Sequence, residues 1–126
     1  MKKTGDLGEE LAAKYLIEKG YRIIERNWRG EKEFKSPEID IIADIDDGLV
    51  FIEVKTSTTD LFGQPQEWIT PRKRRRIAEG AAIYLACKNQ SDTNCRFDAI
   101  AIDLRTKPAT INHIENAFSI SDLDLQ

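Results

Sequence analysis

Cysteine, methionine and histidine are scarce in this 126-residue chain: two cysteines, one methionine and one histidine. Cys87 and Cys95 stand in neither a metal-binding nor a redox spacing, so they read as two reduced thiols of a cytoplasmic protein. With a single histidine, histidine-based catalysis has little support, and His113 reads as a surface residue of the C-terminal tail. No apolar run approaches the roughly 20 residues of a membrane span, so no membrane partner is expected. Charged residues, rather than an apolar signal core, follow Met1, so no secretion is expected. Repeats, low-complexity tracts and linkers are also missing. The net charge of −3 excludes indiscriminate coating of nucleic acid, but it leaves room for a local basic patch.

What is present suits one domain spanning residues 1–126. Hydrophobic residues make up 40% and charged ones 33%, an ordinary globular balance at a length that can bury a core. Residues 5–19 read as a helix, with Leu7, Leu11, Ala12, Tyr15 and Leu16 on an apolar stripe and Gly20 just past its end. The segment "YRIIERNW" reads as a strand and "RGEKEFKSP" as an exposed loop. Two further strands flank Asp46-Asp47-Gly48, and "STTDLFGQPQEW" reads as a loop. A second helix starts at Pro71, with Thr70 as N-cap and Ile77, Ala78, Ala81, Tyr84 and Leu85 as its buried stripe. The strand "CRFDAIAIDL" follows. Residues 106–126 add an edge strand near Ile111 or Phe118 and an acidic tail. The order is helix, three strands, helix, strand, an α/β arrangement of a mixed sheet flanked by helices.

The stretch "PEIDIIADIDDGLVFIEVK" carries charges inside otherwise apolar strands. An Asp47-Gly48 loop would pair Asp46 with Leu49 and Asp40 with Lys55. Glu38, Asp40, Ile42 and Asp44 then share a face with Phe51, Glu53 and Lys55. The opposite face, Ile39, Ile41, Ala43, Ile45, Val50, Ile52 and Val54, is wholly apolar and packs on a helix. The charges are either a solvated sheet face or a cluster that requires a cation. Lys55 can satisfy one carboxylate, and a divalent ion of the magnesium or manganese type can satisfy two or three. Glu9 presents the same choice. It lies on the stripe of Ala12, Ala13 and Leu16, and is either an acid suited to a helix N-terminus or a buried group in need of a partner.

"PRKRRR" places Arg72, Lys73, Arg74, Arg75 and Arg76 in the first turns of the second helix, the end where the dipole disfavours cations. The run is either a solvated charged face or a phosphodiester clamp. Lys73 and Arg74 point toward the sheet, whereas Arg72, Arg75 and Arg76 face solvent. Trp28 and Trp68 read as packing or loop anchors rather than base-stacking platforms.

Glu9 on a helix, Pro37-Glu38-Ile39-Asp40 on one strand and Glu53-Val54-Lys55 on the next resemble the PD-(D/E)xK nucleases of restriction-endonuclease-like fold. "GDLGEELAAKYLIEKGYRIIERNWR", "EIDIIA", "VFIEVKTS", "FGQPQEWITPRKRRRIAEGAAIYL" and "RFDAIAID" together resemble the bacterial YraN-like family, which is similar to archaeal Holliday-junction resolvases. The resemblance runs from Gly5 to Asp103. It departs at the loop "EKEFKSP", which is longer than usual, and at Pro37, where glycine is common. The resemblance implies a magnesium- or manganese-dependent endonuclease acting on DNA, branched or structured DNA included. Asp40 and Glu53 would be the principal metal ligands, with the Val54 carbonyl as a third. Glu9 would complete the shell directly or through water, and Glu38 would be an extra ligand. Lys55 would position the attacking water or stabilise charge on the phosphate. Gln64, Lys73 and Arg74 would approach the DNA backbone, and resolvase-like cutting would require a homodimer. The rivals are a non-catalytic nucleic-acid-binding module that keeps the fold, and a subunit whose basic helix binds a protein.

Overall fold

The computed structural model describes residues 4–30, 38–46, 48–58, 65–89 and 93–119. Helix α1, Thr4–Glu18, leads into strand β1, Arg22–Arg29. Strands β2, Glu38–Ile45, and β3, Gly48–Ser57, form the hairpin. A one-turn helix α2, Pro65–Trp68, precedes helix α3, Pro71–Cys87. Strands β4, Cys95–Asp103, and β5, Thr110–Phe118, close the order. The expected elements are all present, and α2 is an addition inside a segment that reads as loop. The two candidate edge positions, Ile111 and Phe118, fall in the single strand β5. The acidic tail beyond it, Gln64 and the segment 31–37 lie outside the described residues.

The five strands form one mixed sheet in chain order, antiparallel except for the parallel pair β3 and β4. Parallel neighbours need a long crossover, and α3 lies within it. Thr70 caps α3, its hydroxyl accepting the Lys73 amide at 3.2 Å, and Pro71 opens the helix. Ile77, Ala78, Ala81 and Tyr84 pack it on one sheet face against Phe51 and Phe97. Aromatic rings run on from there: Phe51 on Phe97 at 5.6 Å, Phe97 on Phe118 at 4.8 Å, and Trp28 edge-on to Tyr84 at 5.3 Å. Trp28 is thus a packing residue.

Helix α1 covers the other face. Ala12, Ala13 and Leu16 meet Ile41, Ala43, Val50, Ile52, Ile100 and Ile102. Gly8 lets the helix approach closely, because a Cβ there would lie 1.7 Å from the Thr56 hydroxyl oxygen. Leu7, expected in the stripe, is instead 41% exposed. With 3.6 residues per turn, seating Gly8 on the sheet rotates its neighbour about 100° away. Gly20 takes a φ of +96° where the chain leaves the helix, a conformation that favours glycine.

The hairpin register differs from the expected one by two positions. Ile45 pairs with Gly48 and Asp44 with Leu49, so Gly48 belongs to the strand. Asp46 takes the positive φ of 55° that a tight hairpin turn requires. A shift of two preserves parity, so each residue keeps its face. Continued, the register sets Asp40 opposite Glu53 rather than Lys55. Ile39 is the exception among the apolar set. It pairs with Trp28 and packs with it under α3, beside Asn27, whose φ of 51° interrupts β1.

His113 is not a surface residue. Pairing of β5 with β4 carries its ring against Asp98, which is wholly buried. His113 Nε2 lies 2.7 Å from Asp98 Oδ2, and its Nδ1 lies 3.0 Å from the Tyr15 hydroxyl. Arg96 donates to both Asp98 oxygens and to the Tyr21 hydroxyl, and the Asn116 amide adds a bond at 3.0 Å. Burial pushes the Asp98 carboxyl up, but these hydrogen bonds outweigh it and hold the group below its ordinary value. The network ties α1, the turn between α1 and β1, β4 and β5 together. Replacing Asp98 by alanine leaves Arg96 and His113 without their shared partner. It should lower the unfolding free energy by about 3 kcal/mol, read from urea denaturation midpoints.

Candidate functional site

Three elements converge at one end of the hairpin. Strand β2 supplies Glu38 and Asp40, β3 supplies Glu53, and the first turns of α3 supply Lys73 and Arg76. With Arg29 from the end of β1 and Ile77 beneath, they line a cleft of about 400 Å³. Asp40 and Glu53 are held at the base of the acidic side. The Val54 amide donates to Asp40 Oδ2 at 2.8 Å, and the two carboxyl groups share a hydrogen bond. Glu53 is only 7% exposed, unusual for a glutamate on a strand.

Burial, and then the charge of Asp40, push the Glu53 carboxyl up to about 7. Contact with Lys73 opposes this, its Nζ lying 2.6 Å from Glu53 Oε1. Asp40 is also raised, chiefly by burial, with the Val54 amide as the main opposing influence. On the rim, Arg29 donates to Glu38 at 2.9 Å, a cross-strand pair fixed by the β1–β2 register. The site therefore holds three carboxyl groups facing three basic side chains, with two contacts between them fixed.

Glu9 approaches from the opposite side of the sheet, one residue after the Gly8 contact. Its carboxyl is raised first by burial and then by the charge of Asp40, while a hydrogen bond from Asn27 opposes the rise. One of its oxygens, Oε1, is buried without a hydrogen-bond partner among the described residues. Such an orphaned acceptor beside two raised carboxyl groups suits a cation. The oxygen-rich set of Asp40, Glu53 and Glu9 therefore fits a magnesium-like ion in donor chemistry. It is not drawn together: among the described residues, no three histidine, cysteine, aspartate or glutamate side chains are close enough to hold one ion.

Asp40, Glu53 and Glu38 are brought to one cleft as the sequence pattern suggested, with Glu9 within their electrostatic reach. Lys55 is exposed and is not part of the cleft lining. The ammonium that reaches the carboxyl pair belongs to Lys73. Arg74, expected to point toward the sheet and approach the DNA backbone, lies against the sheet but is not part of the cleft lining. Its Nε donates to the Ile69 carbonyl at 2.9 Å, and its guanidinium lies over the Phe118 ring. Arg76, expected to face solvent, lines the cleft while remaining exposed, and Arg72 and Arg75 are exposed. Gln64 lies outside the described residues. Sequence reasoning missed Arg29, although its place opposite Glu38 follows once β1 is paired with β2.

This is a mixed α/β protein with an acidic pair at the base of a basic-rimmed cleft. The chain belongs to UPF0102, described as an uncharacterised protein family, whose profile matches residues 8–102. It is 45% identical to the UPF0102 protein of Geobacter sulfurreducens over 121 residues, 95% of this chain and 91% of that one. It is 44% identical to the UPF0102 protein of Alkaliphilus oremlandii over 119 residues, 93% of this chain and 98% of that one. It is 42% identical to the UPF0102 protein of Syntrophus aciditrophicus over 119 residues, 94% and 91% of the two chains. Membership agrees with the YraN-like resemblance read from the sequence. No helix among the described residues is long and apolar enough to cross a membrane.

The raised Glu53 carboxyl has a consequence for stability. The folded chain holds this proton up to about pH 7, whereas an unfolded chain releases it near 4.5. The contribution to stability is therefore full below about pH 4.5 and is lost as the pH rises through 7. Glu53→Gln, a neutral mimic of the protonated acid, should flatten that decline and raise the Tm at pH 8 in EDTA. Thermal melts of parent and variant between pH 5 and 8 measure it, and parallel curves would rule it out.

Proposed function

We propose that this chain is a metal-dependent DNA endonuclease with a restriction-endonuclease-like core, acting on branched or structured DNA. The observation that carries the reading is the buried, hydrogen-bonded Asp40–Glu53 pair beneath the basic rim of Arg29, Lys73 and Arg76. A carboxyl pair of this kind suits a divalent ion, and a basic rim above it suits a phosphodiester. The element order and mixed sheet are those the PD-(D/E)xK resemblance calls for.

In this reading Asp40 and Glu53 hold a magnesium or manganese ion, with the Val54 carbonyl and Glu9 completing the donor set. When bound, the ion supplies a more acidic water and neutralises charge at the phosphate. The chain's own residues do the rest. The Val54 amide fixes the Asp40 carboxylate, and the Gly8–Thr56 contact fixes where α1 presents Glu9. Arg29 and Arg76 meet the phosphodiester from the rim, and Arg72 and Arg75 extend the basic surface along α3. Lys55, exposed on the strand beyond Glu53, lies outside the rim. A homodimer would allow both strands of a junction to be cut.

A second reading, a nucleic-acid-binding module without catalysis, is favoured by one feature. The three acidic groups are not drawn together, and the Lys73 ammonium already sits on Glu53. Incubation with linear, flapped and four-way DNA, in magnesium or manganese against an EDTA control, separates the two. Metal-dependent cleavage is expected, reduced more than about 100-fold by Asp40→Asn. Salt-sensitive binding without cleavage on every substrate would defeat the enzyme and leave the binding module.

A further inference from the structure

Lys73 stands in an unusual position. It emerges from the first turn of α3, where the helix dipole disfavours a cation. Its side chain nevertheless crosses to β3 and ends 2.6 Å from Glu53 Oε1. The two partners differ sharply in exposure, 45% for Lys73 and 8% for Glu53. The carboxylate is buried in the cleft base, whereas the lysine side chain is half exposed on α3. A lysine ammonium is a compact point charge on a flexible stem, suited to exchanging partners.

Arg76 also lines the cleft, but Lys73 is the cation whose charge and hydrogen bond act on Glu53. Arg29 is paired with Glu38 on the rim, and Arg74 is tied to Ile69 and Phe118. Lys55 lies outside the cleft lining. Any cation drawn to the Asp40–Glu53 pair must therefore contend with one ammonium for one oxygen. Its arrival would leave the cleft with an excess of positive charge, beside the rim guanidiniums of Arg29 and Arg76. That excess suits a phosphodiester anion.

We infer that Lys73 is a built-in exchangeable counterion: it occupies Glu53 in the metal-free protein, yields that oxygen to a divalent cation, and swings to face the phosphodiester. The inference rests on the nuclease reading and assigns this lysine a positioning role that couples ion entry to phosphate binding.

The test is manganese binding to the full chain at pH 8 without DNA, followed by the electron paramagnetic resonance signal of free Mn²⁺. Lys73→Gln should bind Mn²⁺ about fivefold tighter than the parent, the size expected for releasing one half-exposed ion pair. Lys73→Arg, which keeps the charge, should not gain. Lys14→Gln, an equal loss of charge on exposed α1, should bind as the parent does. In the parent, the Lys73 Cε–Hε resonance, assigned by its absence in Lys73→Gln, should shift on adding Mg²⁺ while that of Lys14 stays. Parent binding with no gain in Lys73→Gln, or an unmoved Lys73 resonance, overturns the exchange and leaves the nuclease reading standing. No Mn²⁺ binding by any of the four proteins overturns the exchange and removes the metal from the nuclease reading as well.

Discussion

Strand β3 is covered on both faces, and the rest of the structure depends on that constraint. Val50 and Ile52 look toward α1, and Leu49 and Phe51 look toward α3. A strand enclosed in this way has little room for charge, yet Glu53 follows directly on the run. Its carboxyl loses water and must find compensation from its neighbours. The Lys73 ammonium is that compensation, while the Val54 amide compensates Asp40 across the hairpin. The cleft is thus a product of core packing: two layers of apolar side chains carry a carboxyl pair to the place where the helices stop covering the sheet.

The electrostatics divide the molecule into two polar systems with opposite outcomes. At Asp98 an equally covered carboxylate receives Arg96, His113 and the Asn116 amide, and the sum holds it ionised. At Asp40 and Glu53 two like charges face each other with one ammonium, and the sum raises both carboxyl groups above their ordinary values. The first arrangement is saturated and suits stability. The second is under-neutralised, which is the condition under which a site takes up a cation or a proton. The same chain therefore offers one buried acid that locks the fold and another pair that remains responsive.

Family and fold bear on function at different strengths. Relatives more than 40% identical match this chain over nearly their whole lengths, and their names carry a family designation. The chemistry must be argued from the site, since a fold hosts many activities. Here that argument runs through the acidic pair, the orphaned Glu9 oxygen and the basic rim. The α3 basic run is less uniform than its spelling suggests. Lys73 and Arg76 turn into the cleft, Arg74 is spent on structure, and Arg72 and Arg75 remain on the surface.

The element order, the face alternation of the hairpin, the Thr70–Pro71 start of α3 and the acid positions could all be read in the sequence, because they follow from short-range periodicity and capping chemistry. Even the misplaced turn was harmless: a shift of two residues cannot move a side chain across a sheet. What lay beyond the sequence was every choice between partners distant along the chain. His113 became an interior ligand of Asp98 only because β5 pairs with β4. Lys73, and not Lys55, met Glu53 because α3 packs on the same sheet face as Phe51, whereas Lys55, two residues farther along β3, is exposed outside the cleft lining. The sequence by itself determined which residues carry charge and which face they occupy, since those are set within a few residues. The tertiary structure alone decided which charges meet, because an ion pair depends on the packing of whole elements and leaves no local signature.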